Sequence, residues 1–243
     1  MRDIEFDNVS QVEETHFWFK NKRRLTHHFI NKYYNKGTIL DSACGTGRDL
    51  KEIENCIGLD YSFYALNSIA KRYCKILVNG DANNLPFKSK SFEIIFSFDL
   101  LQHKDVDFEK VMFEYNRVLK DGGYVFLNLP MFKFLYSKHD IAVNNDIRFE
   151  IKDFKKFKKY GFVIKEKVFW NFVFLPLIIF LRKFVFEFFS YEESSDVKQI
   201  NRMTNFILDK IFLIEFYLST KHIIPLGISS FIVLRKEVDL SDK

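Results

Sequence analysis

Between Thr38 and Pro130, short apolar runs alternate with segments of helical periodicity, and this alternation limits the fold more than any other feature of the chain. The apolar runs are TILDSA (38–43), CIGLDYS (56–62), KILVNGDANNLPF (75–87), FEIIFSFDLLQHK (92–104) and YVFLNLP (124–130). Between them, GRDLKEIE (47–54) reads as a helix start and FYALNSIAKRY (63–73) as a helix. DFEKVMFEYNRVLKDGG (107–123) reads as a helix with Val111, Met112, Tyr115, Val118 and Leu119 on its apolar side, stopped at Gly122–Gly123. Strands linked through helices pair in parallel and wind into an α/β sheet with helices on both faces. Ligands of such sheets lie outside the carboxyl ends of the strands.

The flanks extend this plan. Residues 11–35 read as one or two amphipathic helices with an aromatic cluster at the front. After Pro130 a helix is expected at 151–161, a strand at 162–170, mostly helical apolar chain at 175–222 and a last strand at 227–237. No linker or repeat divides the chain, so a single domain over 1–243 is expected, with 172–222 inserted before the last strand.

Composition excludes several classes. The 37 Lys and Arg are spread among 32 Asp and Glu, and a formal charge of +5 without a basic cluster describes a solvated surface; no nucleic-acid partner is expected. Cys44, Cys56 and Cys74 are odd in number and lack CxxC spacing, which argues against a disulfide framework and against a metal site and fits a cytoplasmic location. The start, MRDIEFDNVS, places acids where a signal peptide has its apolar stretch. The longest apolar run, FVFLPLIIFL (172–181), is far short of the ~20 residues of a spanning helix. It leaves open burial against the sheet, a homodimer contact, or peripheral membrane or lipid contact through 172–189.

The turn after the first strand, ILDSACGTGRDL (39–50), narrows the ligand. Small residues let the backbone approach a ligand, and the following segment offers unpaired N–H groups. A phosphate-binding P-loop needs Gly-Lys-Ser/Thr, but Gly47 is followed by Arg48 and Asp49. A dinucleotide fingerprint begun at Gly45 meets Leu50 in place of its third glycine, and Asp49 brings negative charge where a pyrophosphate would lie.

The stretch Ile39-Leu40-Asp41-Ser42-Ala43-Cys44-Gly45-Thr46-Gly47 resembles the first motif of the class I S-adenosylmethionine-dependent methyltransferases, in particular their small-molecule biosynthetic members. Ala43 stands where that pattern has its first glycine, which a side chain tolerates only at negative φ. Later segments resemble the family's further motifs in order. The resemblance implies that Asp60, beside Tyr61, accepts from both ribose hydroxyls, that Asp81, Ala82 and Asn83 meet the adenine edge, and that Ser97–Leu101, including Phe98 and Asp99, lie beneath the cofactor. EETHFWFKNKRR (13–24) resembles a front segment that closes over the cofactor, with Trp18 as an apolar wall and Arg23 or Arg24 on the methionine carboxylate.

The resemblance therefore implies a doubly wound, seven-stranded Rossmann-like sheet, with N-terminal lid helices over 1–36, a cofactor half over 37–130 and a substrate-side half over 131–243. It implies transfer of a methyl group from S-adenosylmethionine to an O, N or C atom of a small-molecule, glycan or lipid-linked acceptor. His103, at the cleft rim, and His139 are candidate bases, with Asp140 as an orienting partner. Two other readings remain: a non-catalytic S-adenosylmethionine-binding sensor or partner subunit, and an NAD-dependent oxidoreductase on the same kind of sheet.

Overall fold

The computed structural model describes residues 3–70, 76–180 and 200–238. Cys74 and the middle of the expected insertion, 181–199, lie outside the described residues, and with the latter the second half of the 172–189 segment. Two helices, α1 (Asp3–Val12) and α2 (Phe17–Tyr33), precede the strands β1 (Ile39–Asp41) and β2 (Cys56–Asp60). They are followed by α3 (Phe63–Ala70), β3 (Ile76–Asn79), β4 (Phe92–Phe98), α4 (Phe108–Val118) and β5 (Leu119–Pro130). The last elements are α5 (Lys138–Ala142), β6 (Phe162–Trp170), α6 (Leu175–Phe180), α7 (Arg202–Thr220) and β7 (Ser229–Lys236).

The strands form one seven-stranded sheet in the order β3-β2-β1-β4-β5-β7-β6. All neighbours are parallel except β7, which runs antiparallel to β5 and β6. Trp170 at the end of β6 lies opposite Ser229 at the start of β7, so the chain re-enters the sheet at the end where it left and runs reversed. The winding direction changes between β1 and β4, where a crevice opens at the carboxyl ends.

Period-two alternation sorts the strand side chains onto two buried faces. Ile94, Phe96, Phe98 and Phe126 pack with Leu25 and Phe29 of α2, Leu66 and Ile69 of α3 and Phe212 of α7. Ile95, Val125 and Leu127 pack with Val111, Met112 and Tyr115 of α4 and with Phe154, Phe157 and Tyr160. This is the layered arrangement the sequence pattern implies.

Three local expectations change. Residues Asp49–Glu52 form a short 3-10 turn rather than the start of an α-helix. The chain must reach Cys56 within a few residues, and Asn55 takes left-handed backbone (φ 53°) to do so. The sheet face left uncovered is filled by α2, whose Leu25 and Phe29 share a cluster with Leu50 and Ile53. Residues Ile151–Tyr160 are a 3-10 helix throughout, because the buried Phe154, Phe157 and Tyr160 repeat every third residue, the period of that helix. The fourth helix ends at Val118, and Gly122–Gly123 lie inside β5, where Gly122 (φ 75°) absorbs the shift of register against β4.

Candidate active site

The crevice holds a cleft of about 850 Å³. Its floor is the turn after β1. Ser42 N–H donates to the Phe96 carbonyl (3.0 Å) and Cys44 N–H to the Leu59 carbonyl (2.9 Å), so the turn is stitched to both neighbouring strands. Gly45 (φ 54°) and Gly47 (φ 72°) then bend the chain through left-handed backbone. A side chain at Gly47 would also lie 2.7 Å from Ile69, so this glycine serves packing and does not line the cleft. Ala43 is absent from the residues with left-handed backbone, so its methyl is accommodated where the motif has a glycine.

Asp60 closes β2. Its two carboxylate oxygens accept from Gly45 N–H (2.8 Å) and Ser62 N–H (2.8 Å), which fixes the plane of the carboxylate at the cleft and leaves further lone pairs for a ligand. Burial raises its pKa, and the two backbone bonds oppose that shift. Asp41, almost fully buried beneath the turn, is pushed up to about 7, first by burial and then by the charge of Asp49. Tyr61 is exposed at the mouth, and Asp81 and Ala82 complete this side.

The roof comes from the first two helices. Phe6 and Val9 of α1, and Phe17, Trp18 and Lys22 of α2, line the cleft. His16 caps α2 by accepting Trp18 N–H at Nδ1 (3.3 Å), and Glu13 accepts from the hydroxyl of Thr46 in the β1 turn. Trp18 lies 5.3 Å from Trp170, which donates to Asn128 Oδ1 (3.0 Å). Asn128 in turn donates to Asp99 (2.7 Å), holding that residue in left-handed backbone (φ 55°) at the end of β4.

Lys22 is the cation that sequence reasoning missed. Its ammonium is nearly buried, 3.3 Å from Asp99 and 3.8 Å from Asp49, and it sits over Trp18 (5.4 Å) and Phe98 (5.5 Å). Burial lowers its pKa, but Asp99, Asp49 and Asp41 more than offset this and hold it above the usual lysine value. Arg23 lines the cleft, yet its guanidinium is bound to the carbonyls of Glu13 (2.9 Å) and Glu14 (3.0 Å), tying α1 to α2. Arg24 points away to Asp209 (2.6 Å). Four cations within FKNKRR look alike in sequence; at 100° per residue Lys22 is the one that meets the cleft acids Asp49 and Asp99.

On the acceptor side His103 lines the cleft. Its Nδ1 lies 3.2 Å from the Asn144 carbonyl, which can only accept, so the proton sits on Nδ1 and Nε2 is left basic. Burial lowers its pKa and keeps the ring neutral. Asp140 is fully buried away from the cleft, and its carboxylate holds Arg148 (2.8 Å) and Ser137 N–H (2.9 Å). Arg148 is the member of this pair that lines the cleft. His139 belongs to α5, and its side chain lies outside the described residues. Asn83 is corrected: it bonds the Asp105 carbonyl (3.1 Å) and Asp107 N–H (2.8 Å), bracing the neighbouring loop instead of lining the cleft.

Residues 40–127, the stretch that carries the floor and its acids, match a family described as a methyltransferase domain. Over that stretch the chain has the sequence pattern of a methyltransferase domain. It is 36% identical over 106 residues to a putative methyltransferase of Encephalitozoon cuniculi, covering 42% of this chain and 50% of that protein. It is 30% identical over 150 residues to the demethylmenaquinone methyltransferase of Staphylococcus epidermidis, covering 54% and 59%. The chain thus spans about half the length of the curated relatives it matches. The solved structure of a possible histamine N-methyltransferase from Thermotoga maritima shares the fold at a TM-score of 0.60 and 19% identity, covering 96% of this chain and 95% of that one.

The cofactor of such a domain is S-adenosylmethionine, and the residues fit it. A carboxylate fixed by two N–H groups suits a ribose diol, and a chamber walled by Asp41, Asp49, Asp99 and aromatic rings suits a ligand with a sulfonium and an ammonium. Among the described residues no group of three or more His, Cys, Asp or Glu is arranged to hold a metal ion.

Proposed function

We propose that this protein transfers a methyl group from S-adenosylmethionine to an O, N or C atom of an apolar small-molecule acceptor. The observation that carries the reading is Asp60, locked by Gly45 and Ser62 N–H at the edge of a deep cleft floored by the methyltransferase turn. Bound S-adenosylmethionine supplies a methyl already activated on a sulfonium, so the chain's task is to hold, orient and exclude water.

In this reading Asp60 accepts from the ribose hydroxyls, and Asp81 with Ala82 flanks the adenine. Lys22 exchanges its carboxylate partners for the methionine carboxylate, while Asp41 and Asp99 face the cationic groups. Trp18 and Phe98 wall off the sulfonium, and α1 with the start of α2 acts as the lid. His103, neutral with a basic Nε2, takes a proton where the acceptor has one to lose.

An apolar acceptor is supported by the apolar side chains of Leu100, Val106, Phe174, Ile178 and Ile228, which line part of the cleft. The relative named as a demethylmenaquinone methyltransferase is consistent with it. The test is calorimetric titration with S-adenosylmethionine, S-adenosylhomocysteine and NAD, on the native chain and on Asp60→Ala. Micromolar binding of both adenosyl ligands, lost in the variant, is the expected result. Binding of NAD alone, or of nothing, overturns the reading. Binding without methyl transfer to any acceptor in a panel of quinols, phenols and amines would favour the sensor reading instead.

A further inference from the structure

Helix α7 turns its acids inward and its apolar side chains outward. Its buried residues are Asp209, Phe212, Glu215 and Ser219. Asp209 is neutralised by Lys20 (2.5 Å) and Arg24 (2.6 Å), and the Glu215 carboxylate accepts from the backbone N–H groups of Asn171, Phe172 and Val173. On the opposite side Met203, Phe206, Ile207, Ile214 and Tyr217 are each between 52% and 72% exposed. Their spacing of three and four residues sets them in one stripe along a helix ~28 Å long. A helix packed on a soluble core normally shows solvent the reverse pattern.

The charges within this stripe have one sign. Lys210 lies in its middle, with its ammonium 5.3 Å from the Phe206 ring, and Arg202 and Lys221 mark its two ends. Both acids of the helix are buried, so the outer face offers apolar side chains and cations only. On α6, Leu177 and Phe180 are likewise half exposed, while Ile178 lines the cleft.

We propose that the outer face of α7, with the exposed side of α6, docks on an anionic lipid bilayer. An apolar stripe flanked by lysine and arginine settles at the boundary of headgroups and acyl chains, where each cation gains from anionic lipid. A second copy of this chain is a poorer occupant: in a two-fold contact the same patch meets itself, which sets Lys210 and its neighbours against their own kind. Docking rests on the methyltransferase reading only for its purpose, which is to open the apolar end of the cleft beside a membrane-borne acceptor.

The experiment is flotation of the full chain with vesicles of phosphatidylcholine, alone or mixed with phosphatidylglycerol, beside calorimetric titration of S-adenosylhomocysteine. The chain is expected to float with the anionic vesicles and about tenfold less with the neutral ones. Phe206→Glu and Ile214→Glu each remove an apolar side chain from the stripe without touching the buried face. Each should weaken vesicle binding about tenfold while leaving adenosyl binding unchanged. Failure to float with anionic vesicles overturns the inference. So does a dimer seen by sedimentation that Ile214→Glu dissolves without any vesicle binding. Flotation by a chain that binds no adenosyl ligand would sink the methyltransferase reading and leave the docking intact.

Discussion

The floor of the cleft and the wall across from it are built in different ways. The floor is local: Asp41, the Gly45–Gly47 bend and Asp60 lie within one strand-turn-strand unit, and their hydrogen bonds join residues that the sheet already makes neighbours. The far wall is assembled from distant chain. Phe17 N–H bonds Asn205 (2.9 Å), Lys20 and Arg24 hold Asp209, and Glu215 holds the 171–173 loop that leads to Phe174 and Ile178. A floor made of backbone geometry suits a constant ligand, and a wall made of side-chain ties between helices suits a variable one.

Removing Asp60 should break the floor alone and gives the largest effect. Asp60→Ala deletes an acceptor of two charge-assisted hydrogen bonds to the ribose, each ~1.5–3 kcal/mol, so S-adenosylhomocysteine should bind at least about a hundredfold more weakly. Titration measures it, and thermal unfolding should remain cooperative. A variant that binds normally would place the nucleoside elsewhere.

Glu215→Gln breaks the wall. The buried carboxylate accepts three N–H groups, and an amide in its place turns a donor toward donors. A loss of stability on the order of 3 kcal/mol is expected in urea unfolding, with methyl transfer impaired and adenosyl binding near normal. If adenosyl binding fell in step, floor and wall would be one unit and the comparison would fail.

The same division explains what could be read in advance. The first five strands and the acids at the ends of the first two were legible because each is a contiguous pattern in Thr38–Pro130. Asp60 announces itself as the last residue of an apolar run. Lys22 does not, because Lys20, Lys22, Arg23 and Arg24 differ only in rotation about α2, and the partners that tell them apart, Asp209 on one side and Asp99 on the other, are remote. The sequence around Asp140 carries no sign that Arg148, eight residues on, binds its carboxylate. The Asp49–Glu52 turn and the period-three helix at 151–160 turn on a count of residues and a spacing that the expectation of α-helix passed over.

Lys22→Met sharpens the floor by dividing its ligand. The lysine faces the methionine end in the proposed reading, so S-adenosylhomocysteine should weaken about tenfold. 5′-Methylthioadenosine, which lacks the amino-acid part, should bind as before. Equal losses for both ligands would mean that Lys22 supports the fold of the cleft and touches no carboxylate.

The smallest expected effect is a dependence on pH, and it tests the floor without mutation. Asp41 has its pKa raised to about 7 by burial and by Asp49, so between the ordinary carboxylate range and about 7 the folded chain keeps a proton that the unfolded chain has released. The folded state then binds more protons than the unfolded state, and the contribution is lost as pH rises through that window: the free chain should melt at progressively lower temperature up to neutrality. A cation bound beside Asp41 favours the carboxylate, so binding of S-adenosylmethionine should release a proton and tighten as pH rises through 7. Glu215, tied to the wall, is also raised by burial, but no ligand charge reaches it in the proposed reading. Melting temperatures recorded across pH with and without S-adenosylmethionine should therefore diverge on approaching neutrality. Parallel curves would mean that Asp41 does not face the bound cation, and the floor would lose its electrostatic half while keeping Asp60.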